Sequence, residues 1–242
     1  MTDLHTHILP GMDDGAADTA AGLRLLRMEA EQGVTGVALT PHFYRNRETP
    51  EQFLARRQTA WERLCGRIGA LPPEEAAALP QAVLGAEVAW MPNLDRWDGI
   101  ERLCIGKSRY LLLELPFTPW NSTVIGQLHA LLGRGAVTPV LAHLERYLGT
   151  QKREHIRELL DLGVPIQLSA SCMLRAVERW RTVRLVRGGG SFLLASDCHD
   201  PGGRKPDLGP ATAAARRRVG PEMLEALLSQ SDRIFAAACP AG

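Results

Sequence analysis

Two histidines one residue apart, His5 and His7, stand near the start of the chain, and two aspartates, Asp13 and Asp14, follow in the same stretch, DLHTHILPGMDDG. Alternate residues of an extended strand share a face, so both imidazoles can approach one cation. Taken alone, the pair is more simply read as two histidines in an N-terminal strand with ordinary hydrogen bonds. Further along, apolar runs end in the same residue types. Val37-Ala-Leu-Thr-Pro leads to His42, Val83-Leu-Gly-Ala to Glu87, Leu111-Leu-Leu to Glu114, Val140-Leu-Ala to His143, and Leu193-Leu-Ala-Ser to Asp197 and His199. With Asp14 these make four carboxylates and five imidazoles, and no thiolate is needed. Such a set suits borderline or hard divalent ions and is too large for one ion. Burying Glu87 and Glu114 at the ends of apolar runs without a compensating partner would cost several kcal/mol each.

Positioning these groups requires strands that end on a common rim. Short β-prone runs at 4–9, 34–40, 82–88, 110–115, 137–142, 164–168 and 191–195 alternate with helical patterns, which implies parallel βα units. Leu23, Leu26 and Ala30 recur at helical spacing, with Asp18 or Thr19 as the cap and Gly33 as the stop. Helices are also expected over 50–68, 123–134, 152–162 and 174–187, with loops at 71–80 and 201–210. The runs are apolar nearly throughout, as when a parallel sheet is covered on both faces. The expected architecture is a closed α/β barrel whose active site lies on the rim where the strands end. His129 and His155, on helical stretches, are read as surface residues.

The 242 residues are read as one domain spanning 1–242. A formal net charge of +1 offers no field to attract nucleic acid or an anionic membrane. Arginine greatly outnumbers lysine, which is read as compositional bias on solvated helix faces. Five cysteines at irregular spacing, without a CxxC pair, fit reduced thiols in a cytoplasmic chain. No apolar run is long enough to span a membrane.

The motifs DLHTHILPGMDDG, TPHF, GAEV, LLLELPF, LAHLERY and ASDCHD, in this order, resemble the PHP (polymerase and histidinol phosphatase) superfamily. The resemblance extends to its bacterial branch of manganese-dependent protein tyrosine phosphatases of capsule and exopolysaccharide synthesis. It covers residues 2 to about 210. It implies a distorted (β/α)7 TIM-like barrel of PHP type and two or three divalent ions, manganese first, with iron or zinc as alternatives. The implied ligands are His5, His7, Asp14, His42, Glu87, Glu114, His143, Asp197 and His199, with Glu114 as the bridging carboxylate. Arg146 and Arg204 would meet the substrate phosphate. Arg45 and Arg47, after His42, would shape substrate entry. The implied substrate is a phosphotyrosine protein, an autophosphorylating bacterial tyrosine kinase of the polysaccharide machinery, and self-association stays open.

Clustered cations lower the pKa of bound water and neutralise phosphoryl oxygens, so a metal-bridging hydroxide attacking phosphorus in line is the expected reaction. His199 and Asp200 are candidates for a general acid. Another PHP phosphoesterase, such as a histidinol phosphatase, would share every ligand. Cys198 and Arg204 also satisfy C-x5-R, the pattern of cysteine-dependent phosphatases, although Lys205-Pro206 interrupts the helix start that would stabilise a thiolate. A non-catalytic module with a structural metal is disfavoured, because such sites draw on one or two local segments.

Overall fold

The computed structural model describes residues 1–240; residues 241 and 242 of the expected domain lie outside the described residues. The chain folds as β1 (Thr2–Thr6), α1 (Thr19–Glu31), β2 (Gly36–Leu39), β3 (His42–Phe43), α2 (Pro50–Gly69), α3 (Pro73–Ala77), β4 (Gln81–Leu84) and β5 (Glu87–Ala89). It continues with β6 (Tyr110–Glu114), α4 (Ser122–Arg134), β7 (Thr138–Leu141), α5 (Arg153–Asp161), β8 (Ile166–Ser169), α6 (Ala176–Arg187), β9 (Phe192–Ala195), α7 (Leu208–Val219) and α8 (Pro221–Ala238).

Local chemistry accounts for the helix starts. Asp18 accepts from the Ala21 amide at 2.8 Å and so is the α1 cap, while Gly33 past its end takes φ +78°. Thr49 and Gln52 form a reciprocal capping box ahead of Pro50 in α2. Asn121 caps α4, and Gly135 ends it in the left-handed region.

All strand pairings are parallel. They fall into a three-stranded sheet, β1-β2-β4, and a six-stranded sheet, β3-β5-β6-β7-β8-β9. The expected run 82–88 is therefore two strands, broken at Gly85 and Ala86, and the expected run 34–40 yields β2, with β3 following separately after Thr40 and Pro41, whose ring nitrogen cannot donate to a ladder. Backbone bonds still cross these breaks: Gly85 donates to Leu39 O at 2.8 Å and Glu87 to Pro41 O at 3.0 Å. The first and last strands also meet, Asp197 donating to His5 O at 2.8 Å and His7 to Cys198 O at 2.9 Å.

Successive residues of a strand feed different cores. Leu111, Leu113, Leu141 and Leu194 pack in a large cluster with helix residues such as Leu26, Leu64 and Leu128. Their neighbours Leu112, Val140, Leu193 and Ala195 join Leu4, Ala38 and Val83 in a second cluster, with Ile234, Phe235 and Ala238 of α8 packed against it. Two-sided burial explains why the strands read as apolar throughout.

Three helical segments depart from the sequence reading. α3 occupies part of the stretch expected as loop, α7 begins inside the second expected loop at Leu208, and α8 follows it. β1 ends at Thr6 where the reading continued to Leu9, because the chain turns back and Ala16 donates to His7 O.

Candidate metal centre

The turn after β1 is built around Asp13. Its carboxylate lies 2.7 Å from His7 Nδ1 and accepts the amides of His42 at 2.8 Å and Gly15 at 3.0 Å. Burial alone would raise the Asp13 carboxyl, but the His7 bond overcomes it and the group falls to about 2. A Cβ at Gly15 would stand 2.2 Å from His7 O, so only glycine lets the turn close this tightly. With Nδ1 engaged, His7 presents Nε2 to the centre of the site.

Glu87, the first residue of β5, is the hub. Its Oε2 lies 2.9 Å from His42 Nδ1, 3.2 Å from His5 Nε2 and 3.3 Å from His7 Nε2. The two nitrogens His5 Nε2 and His7 Nε2 are themselves 3.2 Å apart. Nevertheless Glu87 Oε2 and His42 Nδ1 have no hydrogen-bond partner, their approach being close but misaligned, and Glu87 is 1% exposed. Ligands about 2.1 Å from a shared ion stand roughly 3.0–3.4 Å from one another. The spacing and the orphaned oxygen therefore fit a divalent cation among these atoms better than a hydrogen-bonded cluster. Burial pushes the Glu87 carboxyl up, yet the imidazoles, His5 foremost, hold it well below the usual range.

Glu87 Oε1 is 3.0 Å from His143 Nε2, which is 3.3 Å from Glu114 Oε1 at the end of β6. Asp197 Oδ1 lies 3.3 Å from His5 Nε2 and 3.4 Å from His7 Nε2. Asp14 Oδ1 is 3.6 Å from His42 Nε2 and 3.4 Å from His199 Nε2. All nine residues expected as ligands thus join one network. Within it, three overlapping groups place their donor atoms within 4.8 Å of one another: His7, Asp14, His42 and His199; His5, His7 and Glu87; and His42, Glu87 and Glu114.

Two of these residues have left-handed backbones, His143 at φ +35° and Asp197 at φ +55°. Such conformations cost of order 1–3 kcal/mol in a residue with a side chain and concentrate at functional sites. Gln167 of β8 helps to hold the first: its Oε1 accepts the His143 amide at 2.6 Å and stands 3.1 Å from His5 Nδ1. Arg146 and Arg204 converge on Asp197 Oδ2, Arg204 at 2.9 Å, with their guanidinium groups partly open to solvent. Beside them Phe117, 53% exposed, stacks on His143 with ring centroids 5.9 Å apart and an interplanar angle of 13°.

The sequence reading missed Asp13, Gln167 and Phe117. Asp13 and Asp14 are adjacent, and spacing alone does not tell which turns inward; in the structure Asp13 does, and Asp14 keeps 63% of its side chain in solvent. His155 is half-buried, whereas the reading placed it on the surface. Arg45 lies over the Trp97 ring at 5.3 Å and Arg47 over Tyr44 at 4.4 Å; only Arg47 lines the cavity of about 510 Å³ beside His42 and Asp14. Asp200 is half-buried and accepts the amides of Arg204, Gly202 and Gly203, which lower its carboxyl and make it an organiser of the loop instead of a proton donor. Cys198 is fully buried, its Sγ 3.7 Å from Glu29 Oε1, and burial followed by Glu29 and Asp3 raises the thiol well above its usual value. A nucleophilic thiolate does not fit there.

Residues 1–235 match the family described as capsular polysaccharide synthesis, CpsB/CapC. The chain belongs to that family. Among relatives, it is 26% identical over 244 residues to the tyrosine-protein phosphatase CpsB of Streptococcus pneumoniae, covering 96% of this chain and 97% of that one. It is 28% identical over 232 residues to the tyrosine-protein phosphatase YwqE of Bacillus subtilis, covering 92% and 87% respectively. A solved structure from work on YwqE of B. subtilis and CpsB of S. pneumoniae, named there as metal-dependent tyrosine phosphatases, superposes with a TM-score of 0.84. It covers 99% of this chain and 96% of that one at 23% identity, and so shows the same single-domain α/β fold.

Proposed function

We propose that this chain is a metal-dependent protein tyrosine phosphatase acting in capsule or exopolysaccharide synthesis. The observation that carries it is the buried Glu87 Oε2, unpartnered among three imidazole nitrogens at 2.9–3.3 Å, beside two arginines aimed at one edge of the cluster. His5, His7, Asp14, His42, Glu87, Glu114, His143, Asp197 and His199 would hold two or three divalent ions, with manganese preferred and iron or zinc as alternatives. Bound there, such ions supply Lewis acidity toward phosphoryl oxygens and lower the pKa of water. Arg146 and Arg204 would orient the non-bridging phosphate oxygens, their forked donors matching that geometry. Glu114, at the edge of the network, would supply a further carboxylate ligand, while Glu87, whose two oxygens face different imidazoles, fits a shared position better.

The tyrosine reading is favoured over a histidinol phosphatase by Phe117, whose exposed ring beside His143 offers a face to a phenyl ring. The proposed substrate is a bacterial tyrosine kinase of the polysaccharide machinery, met in the cytoplasm. Among the described residues no helix is long and apolar enough to cross a membrane. We further propose that the two sheets act as one distorted seven-stranded barrel, read by counting β2 with β3 and β4 with β5. Support comes from the backbone bonds between the first and last strands and from the inner cluster to which six of these seven strands contribute apolar residues.

Phosphate release from a phosphotyrosine peptide, with manganese in one arm and a chelator in the other, tests the reading. Turnover only with the metal is expected. Hydrolysis of histidinol phosphate without hydrolysis of the peptide would replace it with the small-molecule alternative.

A further inference from the structure

The proposed chemistry leaves a second cavity unexplained. It has a volume of about 720 Å³ and begins at Arg146, Asp197 and Arg204. From there it runs away from the histidines toward the segment leading into α6, where Arg175, Arg181 and Lys205 line it. Five of its lining residues are therefore cations. Arg146 and Arg204 are engaged with Asp197, and Arg175 leans on Glu178 at 3.3 Å. Arg181 and Lys205 make no ion pair among the described residues, and both are exposed.

The acidic groups of the cavity are mostly spoken for. Glu145 accepts the Ser169 amide at 3.2 Å and stands 3.9 Å from Arg146 Nε, and Glu178 faces Arg175. Asp207 is the exception: it lines the cavity half-buried, and its Oδ1 has no hydrogen-bond partner. A further observation is independent of the charges: Ser169 Oγ, on a residue only 3% exposed, lines the same cavity and has no hydrogen-bond partner. An unsatisfied buried hydroxyl lining the same cavity as unpaired guanidinium and ammonium groups is a donor set that an anion can complete.

We propose that this cavity is a second anion subsite, which receives a carboxylate or phosphate group of the substrate chain a few residues from the phosphotyrosine, with Arg181 and Lys205 reading its charge and the Ser169 hydroxyl donating a hydrogen bond to it. The proposal rests on the phosphotyrosine reading above and deepens it: the preferred substrate is a segment with an acidic or phosphorylated neighbour on one side. Because both cations are exposed, the attraction is modest and fades with salt.

The test compares kcat/KM of the manganese-loaded enzyme for phosphotyrosine peptides that are identical except at the flanks. The flanks are neutral, acidic on the N-terminal side, acidic on the C-terminal side, or carry a phosphoserine on either side. Using ratios between peptides within one enzyme cancels any general loss of activity. One acidic arrangement is expected to exceed the neutral peptide by about fivefold at low salt, and the Arg181→Glu/Lys205→Glu double variant is expected to erase that ratio. A larger gain with phosphoserine than with carboxylate would identify a second phosphate as the occupant, and the reverse a carboxylate. Equal values for all peptides, or a preference that survives the double variant, would overturn the subsite while leaving phosphotyrosine hydrolysis intact. Failure to turn over any phosphotyrosine peptide would instead remove the functional reading, and the subsite with it.

Discussion

His7 Nδ1 and Asp13 Oδ2 are 2.7 Å apart, and the same oxygen accepts the His42 amide. One carboxylate thus fixes the ring of one candidate ligand and the backbone of another. Partners of this kind orient metal-binding imidazoles and raise their basicity. Asp13→Ala is expected to weaken manganese binding about 10–100-fold, measured by calorimetric titration of metal-free protein. Unchanged affinity would reduce Asp13 to a turn residue.

Arg146 and Arg204 meet at Asp197 from different loops. Replacing either by alanine should lower kcat/KM for a phosphotyrosine peptide by about 10²–10³ while bound metal, measured by elemental analysis, stays at the level of the unaltered protein. Lysine in place of either should recover only part of the loss, since it lacks the planar fork. A variant that loses its metal would show that the arginines hold Asp197 in place rather than the phosphate.

Phe117→Ala separates ring recognition from chemistry. Because aromatic pairs contribute about 0.5–1.5 kcal/mol beyond area, KM for a phosphotyrosine peptide should rise roughly 3–10-fold, with little change for an alkyl phosphate. Equal effects on both substrates would argue against a tyrosine platform.

Burial raises the Asp207 carboxyl from 3.8 to about 7, with Asp3 adding to the effect, and its Oδ1 has no hydrogen-bond partner. The folded chain therefore holds a proton there that the unfolded chain releases near pH 4. Stability from this group is complete below about pH 4 and is lost as pH rises through 7. Asp207→Asn should flatten that decline, seen as a smaller drop in urea midpoint between pH 5 and 8 with chelator present throughout. Identical slopes for the two proteins would contradict the raised value.

The rim was legible because parallel strands deliver their terminal residues to one place. Glu87, Glu114 and His143 each stand at the end of an apolar run, and the structure brings all three within hydrogen-bonding distance of one another's network. Asp13 was not legible, since the choice between neighbouring aspartates is made by Gly15 and the His42 amide, which meet only in three dimensions. Gln167 was hidden for a similar reason: mid-strand glutamine has no spacing signature, and its role follows from facing His5 across the interior. The breaks at Pro41 and Gly85 divide what composition presents as continuous strands. α7 and α8 lie beyond the last strand, where no βα alternation marks them.

The bonds joining residues 3–7 to residues 196–199 also constrain how the site comes into being. Asp3 accepts the Ser196 amide across a separation of 193 residues, and Asp197 and His7 seal the same seam. Contacts so distant in sequence form late in folding. During synthesis His5 and His7 would leave the ribosome long before the partners that complete their surroundings, so a finished ion-holding cluster appears only once β9 has docked against β1. Retention of metal then reports the joining of the two ends of the fold, and exchange of the β1 amides should slow most when the ions are added.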